Sequence, residues 1–383
     1  MPAVKNQILF LVLLVTSLST QATWFEASGQ AVIHDGQKQA ARQLATQEAI
    51  KQALLFSGAS VKNVQTMANG LLADDTLEIT AAGDVNHIEL TNEVYHKDYV
   101  TVSIRADIFP VEASCAASDY KKSIVTTWYD FQKRQQAAAG NLYDFGKAFA
   151  TRLQLASREN SKFSYIKQVE PYYLKSVLSE QKSFAYELSR KTNSQFVLFG
   201  KINEFSVERA PSQNWVPWAD DLITRNLAVT LTMYDGYSGE MVYQKIENMS
   251  ALWDFNLHQS IDSDSHKLWS SKFGLATQEL QQQSIQEIDD VISCQPAYGR
   301  VIKTGDESLI INIGLQNGVK KGDKLTLFKM NQYHSPQGEP RRQFHLHPEK
   351  VIVAEVFSET AIIKSPTGAL LVNIQTNDFA ARQ

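Results

Sequence analysis

The sequence predicts a multidomain α+β protein with an N-terminal strand-helix-strand sandwich, a middle α/β domain and a small C-terminal β-barrel. Three patterns predict this class. The chain opens with a strand, a helix and an alternating hairpin. A continuous apolar run, Phe196–Phe199, lies among helical segments, and short strands separated by glycine turns fill the C-terminal part. The expected boundaries are 23–112, 113–296 and 297–383.

Residues 1–22 are expected to form a cleavable secretory leader. Lys5 precedes an uncharged apolar run, Ile8–Leu18, and a small-x-small exit places cleavage between Ala22 and Thr23. The alternative is an uncleaved membrane anchor, but the run has 11 residues, whereas a spanning helix needs about 20. No cysteine lies near the cleavage point for lipid attachment, and no later segment is apolar enough to span a bilayer. The mature chain is therefore expected to work outside the cytoplasm as a soluble protein.

Composition argues against one class of partner. The formal net charge is −4, and neither a basic run nor aromatic residues interleaved with Arg or Lys occur. Proteins that bind nucleic acid concentrate positive charge to meet the phosphates. We therefore expect no nucleic-acid partner.

The first unit begins with a predicted strand over Trp24–Ile33. A helix follows and ends at Ser57-Gly58; its predicted apolar stripe consists of Ala41, Leu44, Ala45, Ala49, Ala53 and Phe56. A short helix is expected over residues 64–72. Residues 88–95 and 99–109 then alternate strictly, which predicts a hairpin with one buried face.

The middle unit mixes strands with helices. Strands are predicted at Ile124–Phe131, at the apolar run and at Leu227–Met233, which turns back at residues 235–239. Asn141 is expected to cap a helix that runs to Ser157. Two further helices are expected at residues 175–191 and 271–293, the latter with these residues inward: Phe273, Ala276, Leu280, Ile288 and Val291.

The last unit contains short strands and few helix signals, which predicts a closed barrel. Its candidate strands are Gly299–Lys303, Leu309–Ile313, Lys324–Lys329, Val351–Phe357, Ala361–Lys364 and Leu371–Ile374. The segment around Pro336, Gly338 and Pro340 is interpreted as a long polar loop.

The chain has two cysteines, Cys115 and Cys294, each at an expected unit boundary. An exported chain can form a disulfide, and we expect these two residues to be joined. The alternative is two buried free thiols. A bridge would close a loop of about 180 residues, which is worth roughly 5 kcal/mol in the chain-entropy model.

No catalytic or metal constellation is recognisable, and no cofactor is expected. The chain lacks GxSxG, a P-loop, GxGxxG and HExxH. His345 and His347 could share one face of a strand, but no third ligand can be named, so a solvated loop is the favoured interpretation. The remaining candidate interaction residues are Trp215, Trp218, Arg341 and Arg342; the alternatives are tryptophans packed on their own unit and a solvated charge pair.

Two segments carry a resemblance to a known family. Glu26–Ile33 followed by Ala40–Ile50, and later Asn312–Leu325, make the chain resemble the flagellar assembly protein T family. The resemblance implies a periplasmic protein that forms the H ring around the basal body of a sodium-driven polar flagellum. It implies a middle domain similar to the amino-terminal domain of TolB, no enzyme activity and no cofactor.

The resemblance also implies partners: further copies in a ring, flagellar basal-body ring proteins and motor-associated proteins, with help to assembly of the motor stator. The alternative function is a periplasmic binding module that recognises peptidoglycan or an outer-membrane protein.

Overall fold

The computed structural model describes residues 24–382 apart from 34–35, 58–63, 75, 79–84, 109–119, 175–177, 211–221, 294, 306, 335–339, 369 and 372. The leader, with Ala22 and Thr23, lies outside these residues. Within them, no helix is both long and apolar enough to cross a membrane. The fold is mixed α+β, as the sequence predicts.

The N-terminal unit is an antiparallel sheet covered by helices. Its elements are β1 (Trp24–Val32), α1 (Lys38–Ser57), α2 (Val64–Asp74), β2 (Thr76–Glu78), β3 (Val85–Tyr95) and β4 (Tyr99–Ile108). The strand order is β1-β4-β3-β2. Val100, Val102 and Ile104 are buried beneath α1, so the predicted alternation of β4 is confirmed.

The predicted inward position of Leu44 is wrong, because its side chain is 56% exposed. The buried side of α1 includes Ala41, Ala45, Ala49 and Ala53. Each step of four residues moves the side chain about 40° further around the helix. The buried face that follows these alanines therefore moves away from the side on which Leu44 lies.

Small residues let α1 approach the sheet closely. Gly29 lies where β1 crosses the helix: a Cβ atom there would sit 2.1 Å from the carbonyl oxygen of Ala45 and 2.5 Å from the backbone nitrogen of Ala49. A glycine is required at this crossing because no side chain fits between the two backbones.

The middle unit is a mixed sheet between helices. Its elements are β5 (Lys122–Trp128), β6 (Asp130–Phe131), α3 (Phe145–Asn160), β7 (Ser164–Tyr173), α4 (Leu178–Thr192), β8 (Phe196–Glu204), β9 (Val207–Ala210), β10 (Leu222–Asp235), β11 (Met241–Leu252), α5 (His266–Trp269) and α6 (Lys272–Ser293). The order is β11-β10-β8-β5-β7. Strands β5, β7 and β8 are parallel, and β10 and β11 are antiparallel additions.

The apolar run in β8 is buried on both faces, which confirms that prediction. Phe196 and Leu198 belong to the core under α3 and α6, whereas Val197 and Phe199 pack with Leu188 of α4 on the other face.

Two details of the middle-unit helices differ from the prediction. The first helix begins at Phe145, and Asn141 does not cap it: Asn141 takes a left-handed φ of 56°, and its Nδ2 donates to Ser260 Oγ at 3.0 Å. Val291 is 41% exposed, and Ile292 takes the inward position instead. One residue moves the side chain about 100° around a helix, which decides burial near a helix end.

The C-terminal unit is a six-stranded closed barrel, as predicted. Its strands are β12 (Tyr298–Thr304), β13 (Ser308–Ile311), β14 (Lys324–His334), β15 (Pro340–Val356), β16 (Ala361–Lys364) and β17 (Phe379–Arg382). The circuit runs β14-β17-β12-β13-β16-β15 and closes because β15 also pairs with β14.

Two predictions for the barrel are wrong. The last strand of the barrel is β17, whereas Leu371 and Ile374 lie outside any strand. The part of the predicted polar loop from Pro340 onwards is also strand, because β15 begins at Pro340 and includes Arg341 and Arg342. Pro336 and Gly338 lie outside the described residues. Polar residues are tolerated here because backbone pairing with β14 and β1, and not an apolar pattern, holds this part of β15.

Candidate functional site: the junctions of the barrel

The barrel contacts both other units, although it comes last in the chain. One end of the middle sheet docks on it through the starts of β5 and β8 and the β10–β11 turn. The N-terminal sheet joins it through β1 and β15. The spatial centre of the described molecule is therefore its C-terminal unit.

An aromatic cluster joins the β10–β11 turn to the barrel. Tyr237 from the turn packs with Tyr298, Phe328 and Phe379, and the ring centroids of Tyr237 and Phe379 are 4.8 Å apart. The carboxylate of Asp235 accepts hydrogen bonds from the backbone of residues 237 and 238, which fixes the turn. Burial raises the pKa of Tyr237 to about 12, so this ring stays neutral in the junction.

Polar contacts surround this cluster. Arg300 of β12 donates to the Asn193 side chain and, at 3.2 Å, to the carbonyl oxygen of Arg190. Gln195 donates to the carbonyl of Pro296 at 2.9 Å and accepts from the amide of Tyr298 at 3.2 Å. Desolvation lowers the pKa of the Arg300 guanidinium. These contacts fix the register between the α4–β8 loop and the barrel.

A second polar patch lies where the chain enters β5. The Asn317 side chain donates to the carbonyl of Lys121 at 2.8 Å, and the Lys121 amide donates back to the Asn317 carbonyl at 2.8 Å. Tyr120 is buried in the barrel core and donates to Asp323 at 2.7 Å. The first residues of the middle unit are therefore part of the barrel's packing.

The N-terminal junction is made by backbone pairing. Residues Phe25–Ser28 of β1 pair in parallel with Arg342–His345 of β15. The paired segments Lys329–His334 and Pro340–His345, together called the arm below, extend β14 and β15 past the part of β14 that pairs with β17. The arm therefore adds a strand to the N-terminal sheet, which is the arrangement of β-augmentation within one chain.

Two buried charges serve packing inside the middle unit. The Asp289 carboxylate accepts hydrogen bonds from the hydroxyls of Ser161 and Ser164 and from the amides of Lys162 and Phe163, at 2.5 to 3.0 Å. It thereby ties α6 to the start of β7.

Arg225 is the other buried charge. Its guanidinium packs over the rings of Phe205 and Trp253, and Nη2 donates to the carbonyl of Ala139 at 2.6 Å. Sequence reasoning missed it, although a signal existed: Arg225 lies two residues before Leu227, on the same buried face of β10.

A surface groove of about 580 Å³ lies between the end of β7 and α4. Its lining is mostly apolar and aromatic: Tyr172, Tyr173, Leu174, Phe184, Glu187, Leu188 and Lys191. Lys191 donates to Glu170 at 2.8 Å beside it. In the described part of the chain, no group of three or more His, Cys, Asp or Glu could hold a metal ion.

The candidate interaction residues of the sequence are only partly placed. Trp215, Trp218, Cys115 and Cys294 lie outside the described residues. Arg341 and Arg342 lie in the arm beside β1, so the structure brings them to the N-terminal junction.

Comparison with known families decides the identity of the chain. The N-terminal, middle and C-terminal domain models of flagellar assembly protein T match residues 23–110, 113–263 and 306–382, in that order. The chain belongs to the flagellar assembly protein T family. Its role therefore lies in flagellar assembly.

Comparison with solved structures finds only slight likenesses. A PelC dodecamer from Paraburkholderia phytofirmans is 11% identical over 45% of this chain and 87% of its own, with a TM-score of 0.27. The hypothetical protein CT253 from Chlamydia trachomatis is 15% identical over 45% of this chain and 98% of its own, with a TM-score of 0.29. Lipoprotein GNA1162 from Neisseria meningitidis is 9% identical over 43% of this chain and 99% of its own, with a TM-score of 0.25. No curated protein matches the chain in sequence.

Proposed function

We propose that this flagellar assembly protein T family member is a non-catalytic structural protein that builds the periplasmic H ring around the flagellar basal body. In this role it supports assembly of the motor stator and is needed for motility. Its partners are other copies of itself, basal-body ring proteins and motor-associated proteins. The observation that carries the proposal is the ordered match of all three family domains along the chain.

The construction of the molecule agrees with a structural role. The buried polar side chains at the junctions, such as Arg300, Gln195 and Asn317, hydrogen-bond to backbone and side chains of neighbouring elements. Hydrogen bonds of this kind fix one arrangement of the middle unit against the barrel. A stiff subunit helps ring formation, because each heterologous contact must repeat with the same rotation for the ring to close.

The location in the periplasm rests on the expected leader. A chain that lacks residues 2–22 should be made but should not restore motility, because it would stay in the cytoplasm. The matched control is the full-length chain produced from the same promoter. Equal motility with both chains contradicts a periplasmic site of action.

Electron microscopy of basal bodies from a deletion strain tests the ring itself. We expect the outer basal-body ring to be absent and motility to be lost, and both to return with the full-length chain. Intact rings together with normal motility in the deletion strain would overturn the proposal.

The groove beside α4 favours one second candidate, a binding module for a periplasmic ligand. Aromatic side chains at Tyr172, Tyr173 and Phe184 offer flat faces to a bound molecule such as a glycan. Cosedimentation of the purified chain with cell-wall sacculi tests it, with Tyr173→Ala as the groove variant and Tyr243→Ala as the control away from the groove. Sedimentation that is lost only in Tyr173→Ala supports the module; equal sedimentation of both variants rejects the groove as the site.

A further inference from the structure

The two junctions of the barrel differ in kind. The middle unit shares apolar packing with the barrel, because Tyr120 and Tyr237 lie in clusters made otherwise of barrel residues. The core of the N-terminal unit contains only residues between 27 and 108, and among the described side chains it shares none with the barrel. The N-terminal unit can therefore leave the barrel without opening either core.

The ladder that holds the N-terminal unit is short. Only four residues of β1, Phe25–Ser28, pair with β15, whereas nine residues of β1 pair with β4. Parallel ladders are also slightly weaker per residue than antiparallel ones. Separation at the β1–β15 ladder would leave the sheet of the N-terminal unit complete.

The covalent connection between the units is long enough to permit exchange. Residues 109–114 join Ile108 of β4 to Cys115, which the expected bridge ties to Cys294, and these seven residue steps reach about 24 Å when extended. This is comparable with twice the radius of gyration of a unit of this size. An N-terminal unit released from its own arm can therefore reach the arm of a neighbouring copy.

Net charge also favours contact between these two units in any pair of copies. Residues 23–112 contain twelve acidic and six basic residues, whereas residues 297–383 contain eight acidic and eleven basic residues. Opposite net charge draws the N-terminal unit of one copy towards the barrel of another as readily as towards its own.

We propose that in the assembled ring the arm of each copy pairs with β1 of the next copy, in place of the pairing within one chain. This exchange rests on the proposed ring function. It needs no new surface, because the ladder between Phe25–Ser28 and Arg342–His345 keeps its register. The arm and β1 are different surfaces, so the contact is head-to-tail and can close into a ring.

Paired cysteines in separate chains test the exchange. Ser28 and His345 are register partners, so Ser28→Cys in one chain and His345→Cys in a differently tagged chain bring two thiols together only if the strands come from different copies. Both chains are produced in one cell, and isolated basal bodies are treated with a mild oxidant that takes two electrons from each thiol pair. We expect a disulfide-linked dimer that carries both tags.

A matched control separates pairing from mere proximity. Ser103 of β4 lies beside Ser28, with 2.8 Å between their hydroxyl oxygens, but is one strand further from β15. Ser103→Cys with His345→Cys should therefore give little dimer. Equal dimer from both combinations contradicts a specific ladder and overturns the exchange.

The double variant Ser28→Cys/His345→Cys supplies the complementary measurement. In purified monomer it should form an internal disulfide, and this locked chain should fail to enter basal bodies until it is reduced. If ring-bearing basal bodies contain only the internal disulfide and no mixed dimer, the exchange is wrong, but the proposed ring function still holds. If wild-type chain is not recovered with basal bodies, the proposed function fails and the exchange fails with it.

Discussion

The guanidinium of Arg225 lies 4.0 Å from the centroid of the Trp253 ring, at the centre of the middle unit. It also lies 4.3 Å from the ring centroid of Phe205. Nε and Nη1 of Arg225 have no hydrogen-bond partner among the described residues. A buried cation with one hydrogen bond is an uncommon arrangement, because stacking on aromatic rings must offset most of its desolvation.

Replacement of Arg225 by an apolar side chain of similar length is expected to stabilise the fold. Arg225→Met should raise the free energy of unfolding at neutral pH by about 1–3 kcal/mol, because the buried charge is removed and the space stays filled. Urea unfolding measures the change, and Arg209→Met, on exposed β9, is the control. A less stable Arg225→Met would mean that the stacking outweighs the desolvation.

The same site predicts a pH dependence. Burial lowers the pKa of Arg225 from 12.5 to about 9. Between these values the unfolded chain binds more protons than the folded chain, so the contribution of this residue to the free energy of unfolding rises as pH increases. The difference between wild type and Arg225→Met should therefore shift in favour of wild type from about pH 8 to about pH 10. A difference that does not change with pH contradicts the lowered pKa of Arg225.

Asp289 is expected to be a strong stabilising residue. Asp289→Ala removes the acceptor of two serine hydroxyls and of the amides of Lys162 and Phe163, so the start of β7 loses its tie to α6. We expect a loss of about 2–4 kcal/mol in the free energy of unfolding, because buried donors are left unpaired. Asp290→Ala, on the exposed side of the same helix, should change it by less than about 0.5 kcal/mol. Similar losses in the two variants would contradict this assignment.

The sequence predicts those parts of the fold that leave a local pattern of apolar and polar residues. Alternation along β4 reflects burial of one face, and the apolar run in β8 reflects burial of both faces. A local pattern is therefore enough to predict these two strands. The predicted inward positions of Leu44 and Val291 are wrong because the sequence of a helix allows more than one neighbouring apolar stripe. Packing against the sheet decides which stripe is buried. Arg225 shows the limit of hydrophobicity as a signal. It lies on the buried face of β10 by the two-residue alternation of the strand, although its charge predicts exposure.

The junctions could not be predicted for a different reason. Arg300 and Asn193 are 107 residues apart and meet only after both units have folded. The β15 residues of the arm are polar, which favours a loop. Their pairing with β14 and β1, however, uses backbone groups that every residue carries. Contacts of this kind leave no periodic trace in the sequence.

Gly29 is expected to be essential to the N-terminal unit alone. Gly29→Ala places a methyl group against the backbone of α1, and the helix must move away from β1. We expect the N-terminal unit to lose about 2–3 kcal/mol, while the middle unit and barrel keep their stability because they share no described core with it. Hydrogen exchange resolved by segment measures this. Gln30→Ala is the control, and equal destabilisation of β8 by Gly29→Ala would contradict independent cores.

Asn317 is expected to hold the middle unit to the barrel. Asn317→Ala removes its side-chain bond to the carbonyl of Lys121 and leaves the amide of Gly314 without its acceptor. Loss of about 1–3 kcal/mol is expected at this buried site, with faster hydrogen exchange at residues 121 and 314. Gln316→Ala removes a contact with Ser358 on the surface and should leave exchange unchanged. Unchanged exchange in Asn317→Ala would show that the aromatic cluster alone fixes the junction.

The disulfide between Cys115 and Cys294 remains a prediction, and neighbouring contacts give it a physical basis. Lys122 Nζ donates to the carbonyl of Ser293 at 3.3 Å, and Tyr120 packs in the same cluster as Ala297. The chain on either side of the two cysteines therefore converges at one end of the barrel. Four residues lie between Cys115 and Tyr120, and the five residue steps reach about 17 Å when extended, so the bridge is sterically accessible.

Thiol labelling of periplasmic protein under denaturing conditions decides whether Cys115 and Cys294 are joined. We expect no labelled cysteine before reduction and two after it, and a faster-migrating band on a non-reducing gel. Cys115→Ser should destabilise the fold by at most about 5 kcal/mol, the value for a loop of this length. The double variant Cys115→Ser/Cys294→Ser should match the single variant, because both lack the same bond. Two labelled thiols without reduction would mean that side-chain contacts such as Tyr120 with Asp323 hold this end of the barrel without a covalent link.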